Sequence, residues 1–119
     1  ASTIVMKYMQ KYGFKVIPVN PSAKGEKILG EKVFEKLEDI KIPIDIVDVF
    51  RPSPEVIKYA EASIKIGAKV LWLQLGIKNE TAKKLVETND IEYIENRCTK
   101  MEYQKAFLKI NPAFPVLQD

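Results

Sequence analysis

Arg51 and Arg97 each stand just beyond an apolar run, and the chemistry they offer is anion recognition. A guanidinium presents a planar fork of donors that matches phosphate or carboxylate. Arg51 closes the run Ile44-Asp45-Ile46-Val47-Asp48-Val49-Phe50, and Arg97 follows Ile91-Glu92-Tyr93-Ile94. Similar run ends occur at Asn20-Pro21 and at Gln74-Leu75-Gly76. Gly76 permits close approach of backbone to a ligand. Phe50 offers an apolar wall for a base or an acyl-like arm, and Lys24 sits in a loop from which it can reach phosphate. Each residue also has a purely structural use. Arg51 can pair with Glu55, Arg97 with Glu95 or a helix carboxylate, Asn20 can cap a turn, and Gly76 can serve loop geometry alone.

Other chemistry is ruled out by composition. The chain has no histidine and one cysteine, Cys98. That removes the commonest acid/base group near neutral pH, a Ser-His-Asp triad within the chain, and the usual zinc clusters. Asp45 and Asp48 are three apart on a strand and face opposite sides, so they are no carboxylate pair. Asp48 interrupts an apolar run and reads as a satisfied structural carboxylate or as an orienter of Arg51. Cys98 reads as a small buried residue, and Trp72 as core. A lone cysteine cannot form an internal disulfide and fits a reducing compartment, the cytoplasm. Lys plus Arg number 19 against 16 Asp plus Glu, for a net charge of +3 spread along the chain. A nucleic-acid surface needs a concentrated basic face, so no nucleic-acid partner is expected. No apolar run reaches membrane-spanning length, and no membrane partner is expected.

The elements that would position these residues follow from periodicity. With 119 residues the chain makes one domain, residues 1–119, of α/β class. Ser2 caps a helix to about Lys11 with Val5, Met6 and Met9 on one face, and Gly13 ends it in a left-handed turn. Residues 14–19 read as a strand, and residues 24–30 as a loop without regular structure. Val33, Phe34 and Leu37 mark a short helix. Residues 44–50 are β-branched and read as a strand. Ser53 is placed as N-cap and Pro54 as first residue of a helix that buries Val56, Ile57, Ala60 and Ile64 and stops at Gly67. Residues 70–73 form a strand apolar enough to be covered on both faces. Asn79 caps the next helix, and the more polar strand at residues 91–94 lies near an edge. Thr99 and Glu102 have capping-box spacing for a last helix that carries Tyr103, Phe107 and Ile110 and ends at Pro112. Strand, helix and strand from residue 44 to residue 73 fit a βαβ unit of about thirty residues with a right-handed crossover. Parallel strands then bring the four run ends to one rim, where ligands of such sheets bind. Taken together, the rim reads as a nucleotide or cofactor pocket.

Several segments together resemble a small CoA-binding protein family, similar to the CoA-binding domain of succinyl-CoA synthetase. They are Val16-Ile17-Pro18-Val19-Asn20-Pro21, Ile28-Leu29-Gly30, Ile46-Val47-Asp48-Val49-Phe50-Arg51 and Ile66-Gly67-Ala68-Lys69-Val70-Leu71-Trp72-Leu73-Gln74. Gly76-Ile77, Glu80-Thr81-Ala82 and Asn96-Arg97-Cys98 complete the set. The resemblance implies a Rossmann-like three-layer fold with a parallel sheet in strand order 3-2-1-4-5. Its first strand and glycine loop have no counterpart here, so residues 1–119 are expected to be N-terminally incomplete, with upstream residues supplying a strand and glycine-bearing loop. It further implies CoA as cofactor, bordered by Asn20, Pro21, Phe50, Arg51, Gln74, Gly76 and Arg97, with Ser2 beside the phosphate loop. No reaction is implied, because the synthetase works through a phosphorylated histidine in a larger subunit. The expected function is therefore binding of CoA or acyl-CoA without catalysis by this domain alone, with a protein partner to use a bound thioester. Two alternatives remain: an NAD- or nucleotide-binding enzyme, weakened by Asn20-Pro21 where an acidic ribose ligand would stand, and a regulatory module without ligand.

Overall fold

The computed structural model describes residues 2–108, which divide into two compact units. The first combines the chain up to Asp39 with the chain from Thr99 onward, and the second is Ile40–Cys98.

The unit Ile40–Cys98 is built on a three-stranded sheet in the order β3-β4-β5, where β3 is Ile46–Val49, β4 is Val70–Leu73 and β5 is Glu92–Ile94. Both pairings are parallel, with Val47 opposite Leu71, Val49 opposite Leu73 and Trp72 opposite Ile94. Helices α2 (Val56–Ile66) and α3 (Glu80–Thr88) make the two crossovers. Two right-handed crossovers in one direction put both helices on one face. That face holds the core. Val47, Val49, Leu71 and Leu73 come from the strands, Val56 and Ala60 from α2, and Ala82 and Val86 from α3, all buried. Leu71 and Leu73 are 0% exposed, while Val70 and Trp72 on the other face are half-buried. Burial thus alternates along β4, where residues 70–73 were expected to be covered on both faces. The apolar sequence cannot separate the two cases, because Val70 and Trp72 are themselves apolar.

Capping was partly legible. Asn79 accepts the Ala82 N–H at 2.9 Å through Oδ1, as its position before α3 predicts. Gly67 ends α2 with φ 71°, a conformation open to glycine at little cost. The expected Ser53 cap does not form. Ser53–Glu55 is a turn of 3-10 helix, and the Ser53 hydroxyl instead accepts the Lys78 N–H at 3.2 Å. Val56 and Ala60 are buried as expected, whereas Ile57 and Ile64 are half-buried.

The other unit holds α1 (Ser2–Lys11), a hairpin of β1 (Lys27–Ile28) with β2 (Glu31–Lys32), and α4 (Thr99–Tyr103), which runs into a π-helical segment, Gln104–Leu108. Val5 and Met6 are the buried residues of α1. Tyr12 packs on Tyr103 at 5.0 Å between ring centres, and Tyr103 on Phe107 at 4.9 Å, which ties α1 to α4. The hairpin replaces the irregular loop expected at residues 24–30. Leu29 (φ 50°) and Gly30 (φ 82°) both take positive φ, as a two-residue turn between antiparallel strands requires. Leucine at the first position hides that signal, because asparagine or glycine is the usual occupant. Residues 14–19 are not a strand. Their pairing is a single parallel bridge, Val19 to Phe34, in which Phe34 N–H donates to the Pro18 carbonyl at 3.0 Å. Pro18 has no N–H to extend a ladder. The short helix expected at 33–37 is also absent. Val33 lies outside any helix, is fully buried and donates its N–H to the Glu26 carbonyl, and only Leu37–Asp39 forms a helical turn, as 3-10 helix.

The single Rossmann-like sheet in order 3-2-1-4-5 is therefore corrected to a mixed α/β architecture with two separate sheets, one antiparallel and one parallel. Ile110 and Pro112, expected to complete the last helix, lie outside the described residues.

Candidate functional site

The parallel register of β3, β4 and β5 brings their carboxyl ends to one edge of the second unit. Phe50-Arg51 leaves β3, Gln74-Leu75-Gly76 leaves β4, and Asn96-Arg97 follows β5. The amino ends of α2 and α3 start from the same edge, which gives it partial positive charge.

Hydrogen bonds lace these loops together. Asn96 accepts the Gly76 N–H at 2.7 Å through Oδ1, and its own N–H donates to the Ile77 carbonyl at 3.3 Å. Gly76 has φ 81° and Asn96 φ 56°, so both ends of this contact sit in left-handed backbone. Arg97 is held from both sides. Its N–H donates to the Leu73 carbonyl at 3.2 Å, and its carbonyl accepts the Trp72 indole N–H at 2.6 Å. Gln74 is 5% exposed and donates from Nε2 to Asp48 Oδ1 at 2.6 Å. This is the partner that the carboxylate inside an apolar run requires, since a buried polar group left unpaired is costly.

Behind the rim, Asn79 donates from Nδ2 to the Ser53 carbonyl at 2.9 Å, joining the loops after β3 and β4. The Tyr93 hydroxyl accepts the Asn79 N–H at 3.0 Å and donates to the Asn79 carbonyl at 3.2 Å. Burial is the main cause that pushes the Tyr93 phenol up to about 12 from 10.0; the nearby Glu95 and Glu80 carboxylates act in the same direction. Neutral Tyr93 is thus a fixed spacer between β5 and the start of α3.

The predicted site residues divide between the two units. Phe50, Arg51, Gln74, Gly76 and Arg97 share the rim of the second. Phe50 is half-buried, Gly76 and Arg97 are exposed, and Arg51 forms an ion pair with Glu55. Ser2, Asn20, Pro21 and Lys24 belong to the first unit. There Ser2 opens α1, and Asn20 caps the 3-10 turn Pro21–Ala23 by accepting the Ser22 N–H at 3.0 Å. Lys24 pairs with Glu35 at 3.4 Å. Cys98 is buried, in keeping with a packing role. Trp72, Ser53 and Tyr93 are rim-organising residues that the sequence reading missed, and Asn96 was read at the fourth strand end without an organising role. Asparagine in a left-handed loop after a strand was the one legible signal among them.

An open depression of about 410 Å³ lies at the opposite edge, lined by Ile64, Gly67, Lys69, Asn89 and Asp90. It faces the carboxyl ends of α2 and α3, whose partial negative charge opposes phosphate, so the rim and not this depression is the candidate anion site. Among the described residues, no three His, Cys, Asp or Glu side chains gather as metal ligands, and no helix is long and apolar enough to cross a membrane.

Comparison with known proteins assigns the chain to a family. A hypothetical protein from Pyrococcus horikoshii OT3 superposes with a TM-score of 0.83 at 37% identity, covering 87% of this chain and 71% of that one. A Thermus thermophilus structure, cell-free ID.343, gives 0.83 at 33% identity over 87% of this chain and 77% of its own. The uncharacterized protein YneT of Bacillus subtilis (strain 168) is 37% identical over 102 residues, 86% of this chain and 74% of that protein. The model of the CoA binding domain matches residues 1–104, and the chain belongs to that family.

Proposed function

We propose that the chain binds CoA or an acyl-CoA at the rim of the parallel sheet, and that this domain alone performs no turnover on it. The observation that carries the reading is family membership over residues 1–104 together with two arginines at adjoining loops of one strand-end edge. In this reading Arg51 and Arg97 take phosphate oxygens through their donor forks. Gly76 lets backbone approach the ligand, and Phe50 supplies an apolar wall. Gln74 is a positioning residue, engaged with Asp48. Binding needs donors and shape, which these loops offer. Turnover needs in addition a nucleophile or proton-transfer group set against a substrate. The chain contains no imidazole, and its one thiol is buried. A separate protein that uses the bound thioester completes the proposal.

Calorimetric titration of the chain with CoA and with NAD tests the reading. CoA is expected to bind more tightly, and Arg51→Ala and Arg97→Ala are each expected to weaken it. Equal or stronger NAD binding would overturn the preference. Incubation with acyl-CoAs followed by mass spectrometry tests the second half. Conversion abolished by Cys98→Ala would make that thiol catalytic.

A further inference from the structure

Arg51 is already engaged by an anion of the chain's own. Glu55 Oε1 accepts from Nε at 3.3 Å and from Nη2 at 3.2 Å, and Oε2 accepts from Nη2 at 3.2 Å. The carboxylate therefore covers the Nε–Nη2 edge of the guanidinium, the edge that also receives phosphate in a forked contact. Glu55 stands at the start of α2, where a carboxylate ordinarily accepts backbone N–H groups. Here its side chain makes no such cap bond and turns to Arg51 instead. The bonds are long for charge-assisted contacts, which usually run at about 2.7–2.9 Å. The arginine side chain is 53% exposed and the glutamate 36%. A pair so solvated and so loosely held is weak and exchangeable.

We propose that Glu55 is an internal competitor at Arg51, one that a phosphate group must displace and that lowers the affinity of the rim for anionic ligands. This rests on the reading of the rim as a CoA site and adds to it a residue that sets affinity from within. Two effects act together. The guanidinium must release one carboxylate before it forks to a phosphate. A negative charge at the start of α2 also repels an incoming dianion and cancels part of the helix's attraction for it. The rim thereby favours ligands that hold on elsewhere as well, as a large phosphorylated cofactor does, over small free anions. An alternative role, in which Glu55 braces Arg51 for a ligand on the other edge of the fork, predicts the opposite sign.

Titration of CoA and, separately, of inorganic pyrophosphate into the parent chain, Glu55→Gln, Arg51→Ala and the double variant decides the matter. Both positions are solvated, so folding is retained in each variant, as circular dichroism will verify. Glu55→Gln is expected to bind each probe about threefold more tightly at low salt, and the gain should shrink as salt screens the pair. In the Arg51→Ala background the same change should yield a clearly smaller gain, because the competition runs through Arg51 and only the repulsion by the Glu55 charge remains to be relieved. Equal or weaker binding by Glu55→Gln, or a gain that survives undiminished without Arg51, would overturn the competitor role. If CoA binds and the gain is absent, the competition fails while the CoA site stands. If only pyrophosphate binds and shows the gain, the CoA reading fails while the competition stands. If neither probe binds, both are removed.

Discussion

Asn96 holds Gly76 by accepting its N–H at 2.7 Å, and each of the two residues lies in left-handed backbone. The contact sets how the loop after β4 meets the loop after β5. It also separates two contributions that substitution can resolve. Asn96→Ala removes the acceptor and forces alanine into a left-handed conformation, at about 1 kcal/mol for the bond and about 1 kcal/mol for the backbone. Asn96→Gly relieves the backbone and loses only the acceptor. Urea unfolding should rank the parent above the glycine variant and the glycine variant above alanine, with CoA affinity reduced in both. A glycine variant as stable as the parent would mean that the bond contributes nothing.

Trp72 is the one tryptophan of the chain, and its indole N–H reaches the Arg97 carbonyl at 2.6 Å. Its emission should therefore change when a ligand engages Arg97, with the same midpoint as calorimetry. Calorimetric binding with unaltered emission would move the ligand away from Arg97. Trp72→Phe, which keeps an aromatic ring without the donor, should cost about 1 kcal/mol in urea unfolding.

Gln74 and Asp48 form a polar pair beside the core, so breaking it from one side should cost more than removing it whole. Gln74→Leu takes a donor from a half-buried carboxylate and should destabilise by about 1–3 kcal/mol. Asp48→Val combined with Gln74→Leu replaces both partners by apolar groups and should recover most of that loss. A double variant as unstable as the single one would show that the pair is not the source of the effect.

Tyr93 predicts an alkaline limit. Its phenol is raised from 10.0 to about 12, chiefly by burial, so folding favours the neutral form. The associated stability is fully present below pH 10 and is lost as pH rises through about 12. Unfolding midpoints measured across that window should fall, and tyrosinate absorbance should show a late-ionising group that Tyr93→Phe removes. Tyr8 is also raised by burial, so some alkaline dependence should survive in the variant. A pH profile unchanged by Tyr93→Phe would contradict the assignment.

Much of the second unit was legible in the sequence. The β-branched run before Arg51, Gly67 at the end of α2 and Asn79 ahead of α3 each rest on near-neighbour chemistry that a linear sequence carries. The Arg51–Glu55 pair was foreseeable for the same reason, since the two lie four residues apart across one turn. The first unit was less legible. Leu29-Gly30 makes a hairpin turn without the usual asparagine, and Val33 and Phe34 have a spacing that suits helix but bond instead across the hairpin to Glu26 and beyond it to Pro18.

The residues by themselves determined which chemistries are possible: two arginines for anions, no imidazole, and a single thiol. They also determined the parallel βαβ order, because crossover handedness follows from chain chirality and from the alternation of strand with helix. Only tertiary structure decided that Asp48 is answered by Gln74, that Trp72 and Leu73 fasten Arg97, and that Asn96 closes on Gly76. Each of these contacts joins residues brought together by strand register. A hydrogen bond demands a fit of a few tenths of an ångström, and sequence spacing does not encode that fit when the partners come from different loops.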